Sequence, residues 1–381
     1  MKPRHLLVIL LLCLGTGAQA GPVREGGMRN LFDTLDAAIN NGEGYGSYNN
    51  ASGTLAWAES YLLEAYLDMY EATKDNAYLD KFVRQAERVS GATDKARGTK
   101  DYRGVSLNGW SSTKYSRNGE PVVFIVHSGM ILYPLVRFAE IVAGEPSLSR
   151  HGDAARRFVR LAEAAVSEFD NVWRSVPETG EGTYRFSGDE PLQADLSAPM
   201  ALNGPLSLGR VIVALHRLTG KEAYLEKATG LAKYFKAGLR LNPDGAYFWG
   251  YRRDLDRFPK VEDISHGAID VDFAFQAFQA GIVFTCEDMR RFSRTLVQAR
   301  MGDLYSIHVN GTGGGGNQVV QSDTSGGWLE LASCDCGVYE SVFDYMSSRV
   351  KGDKKEHPQV LLGIAKLVKY HDRCRRSGGT P

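Results

Sequence analysis

Thr73-Lys-Asp-Asn-Ala-Tyr-Leu-Asp-Lys81 returns later in the chain as Thr219-Gly-Lys-Glu-Ala-Tyr-Leu-Glu-Lys227. Each copy closes one amphipathic segment and opens another, so each reads as the turn between two helices. Before the first copy, Leu55, Ala58, Leu62, Ala65 and Met69 recur at the spacing of one helix face; after it, Leu79, Phe82, Ala86 and Val89 do the same. Self-similarity at a fixed period is the signature of a repeat architecture. Ala143-Gly-Glu-Pro-Ser147 plays the same turn role between 130–142 and 154–169. Ala280-Gly281 does so between 268–279 and 289–300, and Lys351-Gly-Asp353 between 338–348 and 360–370. Gly and Pro stand where helix ends need them.

The turns fall near residues 74, 144, 220, 281 and 352, which gives five helical hairpins with 28–39 as an extra helix at the front. Strand-like alternation is scarce, and 247–251 is the best case, suited to a small hairpin. The long polar excursions, such as 92–121 and 175–199, are too large for an open solenoid and are of the kind that carries function. The expected fold is therefore all-α: an (α/α) toroid or incomplete barrel of about five to seven helical hairpins, with a small β hairpin in the loops.

Lys2, Arg4 and His5 precede the apolar run 6–14, and Ala18-Gln19-Ala20 follows it. That order is a secretory signal peptide over 1–20, too short to span a membrane, and it leaves 21–381 as one toroidal domain that is secreted or periplasmic. No later run is read as a span. The 45 basic residues balance 45 acidic ones, so no basic stripe marks a nucleic-acid binder. An oxidising compartment permits a disulfide among Cys286, Cys334, Cys336 and Cys374, whose spacing fits a zinc site poorly. A monomer with no cofactor, no metal, no nucleic-acid partner and no membrane contact after cleavage is expected.

The starts of the first helices carry residues that a helix start does not require. They are Tyr48, Asn49, Asn50 and Trp57 for the first hairpin, His127 for the second and Asn203 for the third; Glu262, Asp263 and His266 open the fourth, and Gly326-Gly-Trp328 the fifth. Parallel inner helices bring these starts to one rim, where free N–H groups favour an anionic ligand. His266 has carboxylates on both sides, with Asp270 at the i+4 position, an arrangement suited to general acid–base work. Asp263 also reads as a plain N-cap, Asn203 as a cap and His127 as a satisfied core histidine. The same four residues from Glu262 to Asp270 offer the donor types of a divalent-ion site as well. Upstream, alternation puts Tyr247, Trp249 and Tyr251 on one face, either to stack on sugars or to pack on the barrel, with Arg252 or Arg253 to pair with a carboxylate. Downstream, Arg300, Tyr305 and His308 precede the glycine run 311–316, which lacks the Gly-Lys-[Ser/Thr] of a phosphate loop.

Leu55-Ala-Trp-Ala-Glu-Ser-Tyr61, together with Glu262-Asp-Ile-Ser-His266, resembles the (α/α)-toroid carbohydrate-active enzymes. The nearest groups are polysaccharide lyases of alginate or glucuronan lyase type and the C-terminal domain of D-glucuronyl C5-epimerases. The Asn-Asn-His run of alginate lyases is absent, since Ala51 follows Asn49-Asn50. The resemblance implies β-elimination on a uronate-containing polysaccharide. Its acid–base set would be His266, Tyr305, Tyr251 and His127, and Asn203, Glu262, Arg300, Arg252, Trp249, Tyr48, Asn49 and Trp57 would hold the acidic chain. The alternatives are a glycoside hydrolase, which needs two carboxylates flanking the bond, a uronate C5-epimerase on the same fold, or a non-catalytic glycan-binding protein.

Overall fold

The computed structural model describes residues 25–352 and 357–376. The signal segment 1–20 expected from the sequence lies outside them, as does Asp353 of the expected fifth turn. Four expected hairpins are present: α2 (Ser60–Thr73) with α3 (Asn76–Ser90), α5 (Ile125–Gly144) with α6 (Gly152–Ser167), α7 (Asn203–Thr219) with α8 (Glu222–Lys236), and α9 (Ile264–Gln279) with α10 (Cys286–Gln298). The repeated motif works as a turn because its second position is left-handed in both copies, Lys74 at φ 57° and Gly220 at φ 67°. In the first copy Asp75 then caps α3 by accepting from the Ala77 amide.

The fifth and sixth pairs depart from the sequence reading. The inner member of the fifth is a short 3-10 segment, Ser325–Ser333, preceded by α11 (Gln318–Asp323), and its outer partner is α12 (Gly337–Gly352). The expected partner of α12, the helix α13 (Pro358–Arg376), is itself an inner helix and packs against α1 (Glu25–Ala38). The front helix is thus the outer half of a sixth pair made from the two ends of the described chain. The inner ring runs α2, α5, α7, α9, Ser325–Ser333, α13 and back to α2, each packed on the next, which closes an (α/α) toroid. The short turns lie at one end. The long excursions lie at the other, where they hold the one-turn helix α4 (Asp94–Arg97) and three two-stranded hairpins: β1 (Trp173–Val176) with β2 (Glu181–Tyr184), β3 (Arg240–Leu241) with β4 (Tyr247–Phe248), and β5 (Arg300–Met301) with β6 (Leu304–Tyr305).

By length and composition α5 is apolar enough to cross a membrane, contrary to the sequence reading that no later segment is, but 78% of its apolar window is buried in the toroid. Its closest neighbour is α7. A Cβ on Gly129 would stand 2.4 Å from the Leu208 amide nitrogen, so only glycine lets these backbones meet.

Charge fills the axis. Arg137 reaches Asp68 and Glu71 at 2.6 Å each, Arg210 reaches Asp272 at 2.7 Å and Glu64 at 3.4 Å, and Lys369 reaches Asp68 at 3.0 Å. Lys366 pairs with Glu330 and Tyr370 donates to the same carboxylate. Every inner element contributes a partner. Cys286 bonds to Cys334 and Cys336 to Cys374, which ties the exit of the short 3-10 segment to α10 and α13. Loops of 48 and 38 residues closed in this way stabilise by roughly 3–4 kcal/mol each, mainly through the unfolded chain.

Gly129→Ala is expected to cost about 3 kcal/mol or more, because backbone rather than a flexible side chain blocks the added methyl group. Urea unfolding measures it; a loss below 1 kcal/mol, roughly the helix-propensity scale, would mean that α5 and α7 are free to separate.

Candidate active site

The chain enters α9 from an extended segment that runs beside residues 306–309, with the Ile264 amide donating to the Ile307 carbonyl and the Val309 amide to that of Glu262. This pairing fixes Asp263 as the N-cap. Its Oδ1 accepts from the His266 amide at 2.9 Å and from Ser265 Oγ at 2.7 Å, and its Oδ2 lies 2.7 Å from His266 Nδ1. The contacts from His266 and Ser265 overcome burial and hold the Asp263 carboxyl down to about 2. It is therefore a carboxylate that accepts the Nδ1 proton, which leaves Nε2 of the half-buried His266 ring as a base. The Tyr251 ring packs on that of His266 at 5.8 Å. Burial, followed by the nearby Glu262, raises the Tyr251 hydroxyl above its ordinary range, so it stays protonated and is an acid. Lys260 Nζ lies 3.8 Å above the Tyr251 ring.

Beneath this dyad are two carboxyl groups fully shut off from solvent. Glu262 Oε1 accepts from the Asp263 amide at 2.9 Å, and Asp270 Oδ2 accepts from Trp249 Nε1 at 2.9 Å. Their other oxygens, Glu262 Oε2 and Asp270 Oδ1, have no separate partner among the described residues. One proton held between them satisfies both. Burial and mutual repulsion push Glu262 well up, and burial pushes Asp270 up to about 7. Asp270 therefore does not orient His266 as its spacing implies; Asp263 does. Ligand atoms of Glu262, Asp263 and His266 all lie within 4.8 Å of one another, close enough for a metal ion. In the arrangement seen, Asp263 and His266 are bonded to each other, and the proton on Glu262 opposes a cation.

Several expected site residues are elsewhere. Trp249 and Tyr305 are fully buried, and Trp249 packs against Phe235, Phe292 and Trp328, so its ring is core rather than a sugar platform. The Tyr305 hydroxyl meets Ser341 of α12 at 2.8 Å, and Arg300 lies over the Tyr305 and Tyr345 rings. Glu262 is 0% exposed and cannot touch substrate. Asn203 is buried as the first residue of α7, whose cap position is Leu202, so it is no cap. Tyr48 is exposed against Tyr45, Asn49 accepts from the Ala51 amide, and half-buried Arg252 lies over Phe258 beside Tyr251.

His127 and Trp57 form a second cluster on the starts of α5 and α2, with ring centroids 5.4 Å apart. Burial, then Lys114, presses His127 down to about 3, so it stays neutral. Asn50 Nδ2 donates to the Trp110 carbonyl at 3.0 Å and Asn50 Oδ1 accepts from the Ala56 amide at 3.3 Å, which sets the amide the right way round. Nδ2 then also donates to His127 Nδ1 at 3.2 Å, so the imidazole proton is on Nε2. With no lone pair to offer there, His127 is a donor and not the acid–base residue expected. Lys114, Tyr115 and Phe124 complete the cluster; in sequence nothing but their later proximity to His127 marks them.

No protein-family profile and no curated protein matches this sequence. Solved structures share its fold. The α-1,6-mannanase GH76A of Salegentibacter sp. HEL1_6 superposes with a TM-score of 0.56 at 14% identity, over 92% of this chain and 100% of that one. The unsaturated glucuronyl hydrolase of Bacillus sp. GL1 gives 0.56 at 12%, over 92% and 97%. The cellobiose 2-epimerase of Spirochaeta thermophila DSM 6192 gives 0.53 at 14%, again over 92% and 97%.

Because the Glu262–Asp270 pair binds its proton more tightly when folded, it stabilises the fold below the ordinary carboxylate range, and that contribution is lost as pH rises through about 7. Asp270→Asn keeps the Trp249 bond and removes the Asp270 step of that titration. Its stability relative to the parent is expected to improve by on the order of 2–4 kcal/mol between pH 5 and 8.5. Thermal unfolding across that range checks this; parallel curves would mean that the two carboxyls do not share a proton.

Proposed function

We propose that this rim is the active site of an exported enzyme that acts on an acidic carbohydrate. The observation that carries the reading is the Asp263–His266–Tyr251 constellation at the start of α9, a base held in one tautomer beside a neutral phenol. The structural neighbours support carbohydrate as the substrate class, since mannanase, glucuronyl hydrolase and epimerase all handle sugars. Their names fit hydrolysis and epimerisation as readily as elimination, so the choice of reaction rests on the residues.

A uronate C5 proton becomes removable once its carboxylate is neutralised by cations or hydrogen bonds. Arg252 and Lys260 flank Tyr251 and supply positive charge, and the helix starts add dipoles. His266 Nε2 then takes the proton and Tyr251 gives its own to the leaving 4-linked oxygen, which is β-elimination. Proton return on the opposite face would give epimerisation instead. Hydrolysis is less well served, because a glycosidase needs two accessible carboxyls roughly 5–10 Å apart. At this helix start Glu262 and Asp270 are sealed in and Asp263 is bound to His266.

The purified protein is expected to raise the ultraviolet absorbance of an unsaturated uronate when incubated with a panel of uronate polymers. New reducing ends without that absorbance would replace elimination with hydrolysis, and binding without any product would leave a glycan-binding protein. His266→Ala is expected to lower kcat by about 10²–10⁴-fold with thermal unfolding little changed. Activity at the parent level in that variant would remove His266 from the chemistry.

A further inference from the structure

We infer that the pocket on the toroid axis takes the terminal hydroxyl of a glycan chain, so that the enzyme works from a chain end. The inference rests on the reading of a glycan as ligand, but the pocket contains none of the acid–base residues. Its half-buried mouth is formed by Tyr61, Ser265, Thr324 and Gln359, and its floor by Glu64, Arg210, Asp272 and Lys366. Met130 of α5 and Gly327 of the short 3-10 segment complete the wall, so all six inner elements contribute. Beyond the floor the axis is filled by the contacts of Asp68, Arg137, Glu330 and Lys369, which makes the pocket blind. A strand that crosses a rim needs an entrance and an exit. A blind hole ringed by six elements has one opening, which suits an end.

The space also limits what enters. At about 30 Å³ it exceeds the roughly 10–15 Å³ that one water requires, yet it is too small for a sugar ring. One substituent fits, with the ring left in the mouth. Glu64 is the floor group that lacks a full set of partners. Its one hydrogen bond among the described residues comes from Arg210 Nη1 at 3.4 Å, and that nitrogen lies closer to Asp272, at 2.7 Å. A carboxyl 3% exposed and so weakly held calls for a further partner.

Burial pushes Glu64 up to about 7, so both of its protonation forms are present near neutral pH. A hydroxyl serves either form, since it donates to the carboxylate and accepts from the acid. A uronate carboxylate would instead meet Asp272 and an ionised Glu64. The two bases at the floor are already engaged, Arg210 by Asp272 and Lys366 by Glu330. The pocket thus selects a neutral hydroxyl over an acid group. Ser265 links it to the chemistry: it lines the mouth, and its Oγ donates at 2.7 Å to Asp263, the carboxylate that orients His266. An end anchored on the axis leaves its first linkages, not its interior, beside the base.

The test uses the full chain carrying His266→Ala, so that ligand is bound and not turned over, and titrates it calorimetrically with a short and a long glucuronan fraction. One protein per chain is expected at both lengths, with the same affinity per mole of chains. Glu64→Met, which leaves Arg210 paired with Asp272, and Ala268→Leu, which fills the pocket, are each expected to weaken binding about tenfold. Glu64→Gln, which still gives and takes a hydrogen bond, is expected to stay within about threefold of the parent, and thermal unfolding checks that all three variants fold. With His266 restored, unsaturated-uronate absorbance is expected to rise well before polymer viscosity falls. Several proteins on each long chain, or viscosity collapsing at the first absorbance, would overturn the chain-end inference and leave elimination standing. Binding unchanged in both Glu64→Met and Ala268→Leu, or no binding to the His266→Ala chain, would also overturn it. One protein per chain, weakened by Glu64→Met, in a protein that yields no unsaturated uronate would keep the pocket and remove elimination.

Discussion

The ion pairs along the toroid axis are the constraint on which the rest of the structure depends. Six inner elements meet there, and a ring of that size leaves a middle that apolar side chains do not fill alone. Asp68 sits at its centre, buried yet held far below the ordinary carboxylate range by Arg137, Lys366 and Lys369, which come from α5 and α13. Glu330 is held down to about 2 by Lys366 and Lys369 in spite of its own burial. Taken together, Glu64, Asp68, Glu71, Asp272 and Glu330 face Arg137, Arg210, Lys366 and Lys369, one acid more than the bases can match. Burial pushes Glu64 up to about 7, and a proton on that carboxyl restores balance. Such networks contribute little net stability compared with apolar packing, but removing one partner strands a buried charge. Their effect is on register: a helix that slides by one turn loses its partner.

The fold was largely legible because its cues are local. Amphipathic faces and turn residues are local properties, and the left-handed positions at Lys74 and Gly220 announce themselves in the repeated motif. Where the pattern is not helical, legibility ended. Ser325–Ser333 is a 3-10 segment beginning Ser-Gly-Gly, with no period of three and four to detect, so the hairpin it starts was assigned to α12 and α13. The pairing of α1 with α13 joins elements more than 300 residues apart, a relation that no local signal carries.

The site was legible where sequence spacing and space coincide. Asp263 and His266 are three apart at a helix start, and the cap geometry brings both the amide and the ring to one carboxylate. Alternation around residue 249 groups Tyr247, Trp249 and Tyr251 but is silent on which of them enter the core. The Trp249 indole goes inward to hold Asp270, and Tyr251, two residues on, is left at the rim. Tyr305 and Arg300 belong to a hairpin packed on α12, and their position depends on the misread fifth pair.

The two rim histidines reach opposite roles through their partners. Asp263 accepts the Nδ1 proton of His266, which leaves a lone pair on Nε2; Asn50 donates to Nδ1 of His127, which leaves a proton on Nε2. One ring can therefore take a proton while the other can only give a hydrogen bond. Below the α9 start, the proton shared between Glu262 and Asp270 lowers the buried negative charge. Were both carboxyls ionised, two buried negative charges would repel each other beneath the Asp263–His266 contact. One proton on that buried pair removes one of its two charges, and Asp263 is the carboxylate that contacts the ring and orients it through Nδ1. Burial is what makes that possible: the exclusion of water around Glu262 and Asp270 raises both carboxyls, so the pair keeps its proton where an exposed pair would lose it.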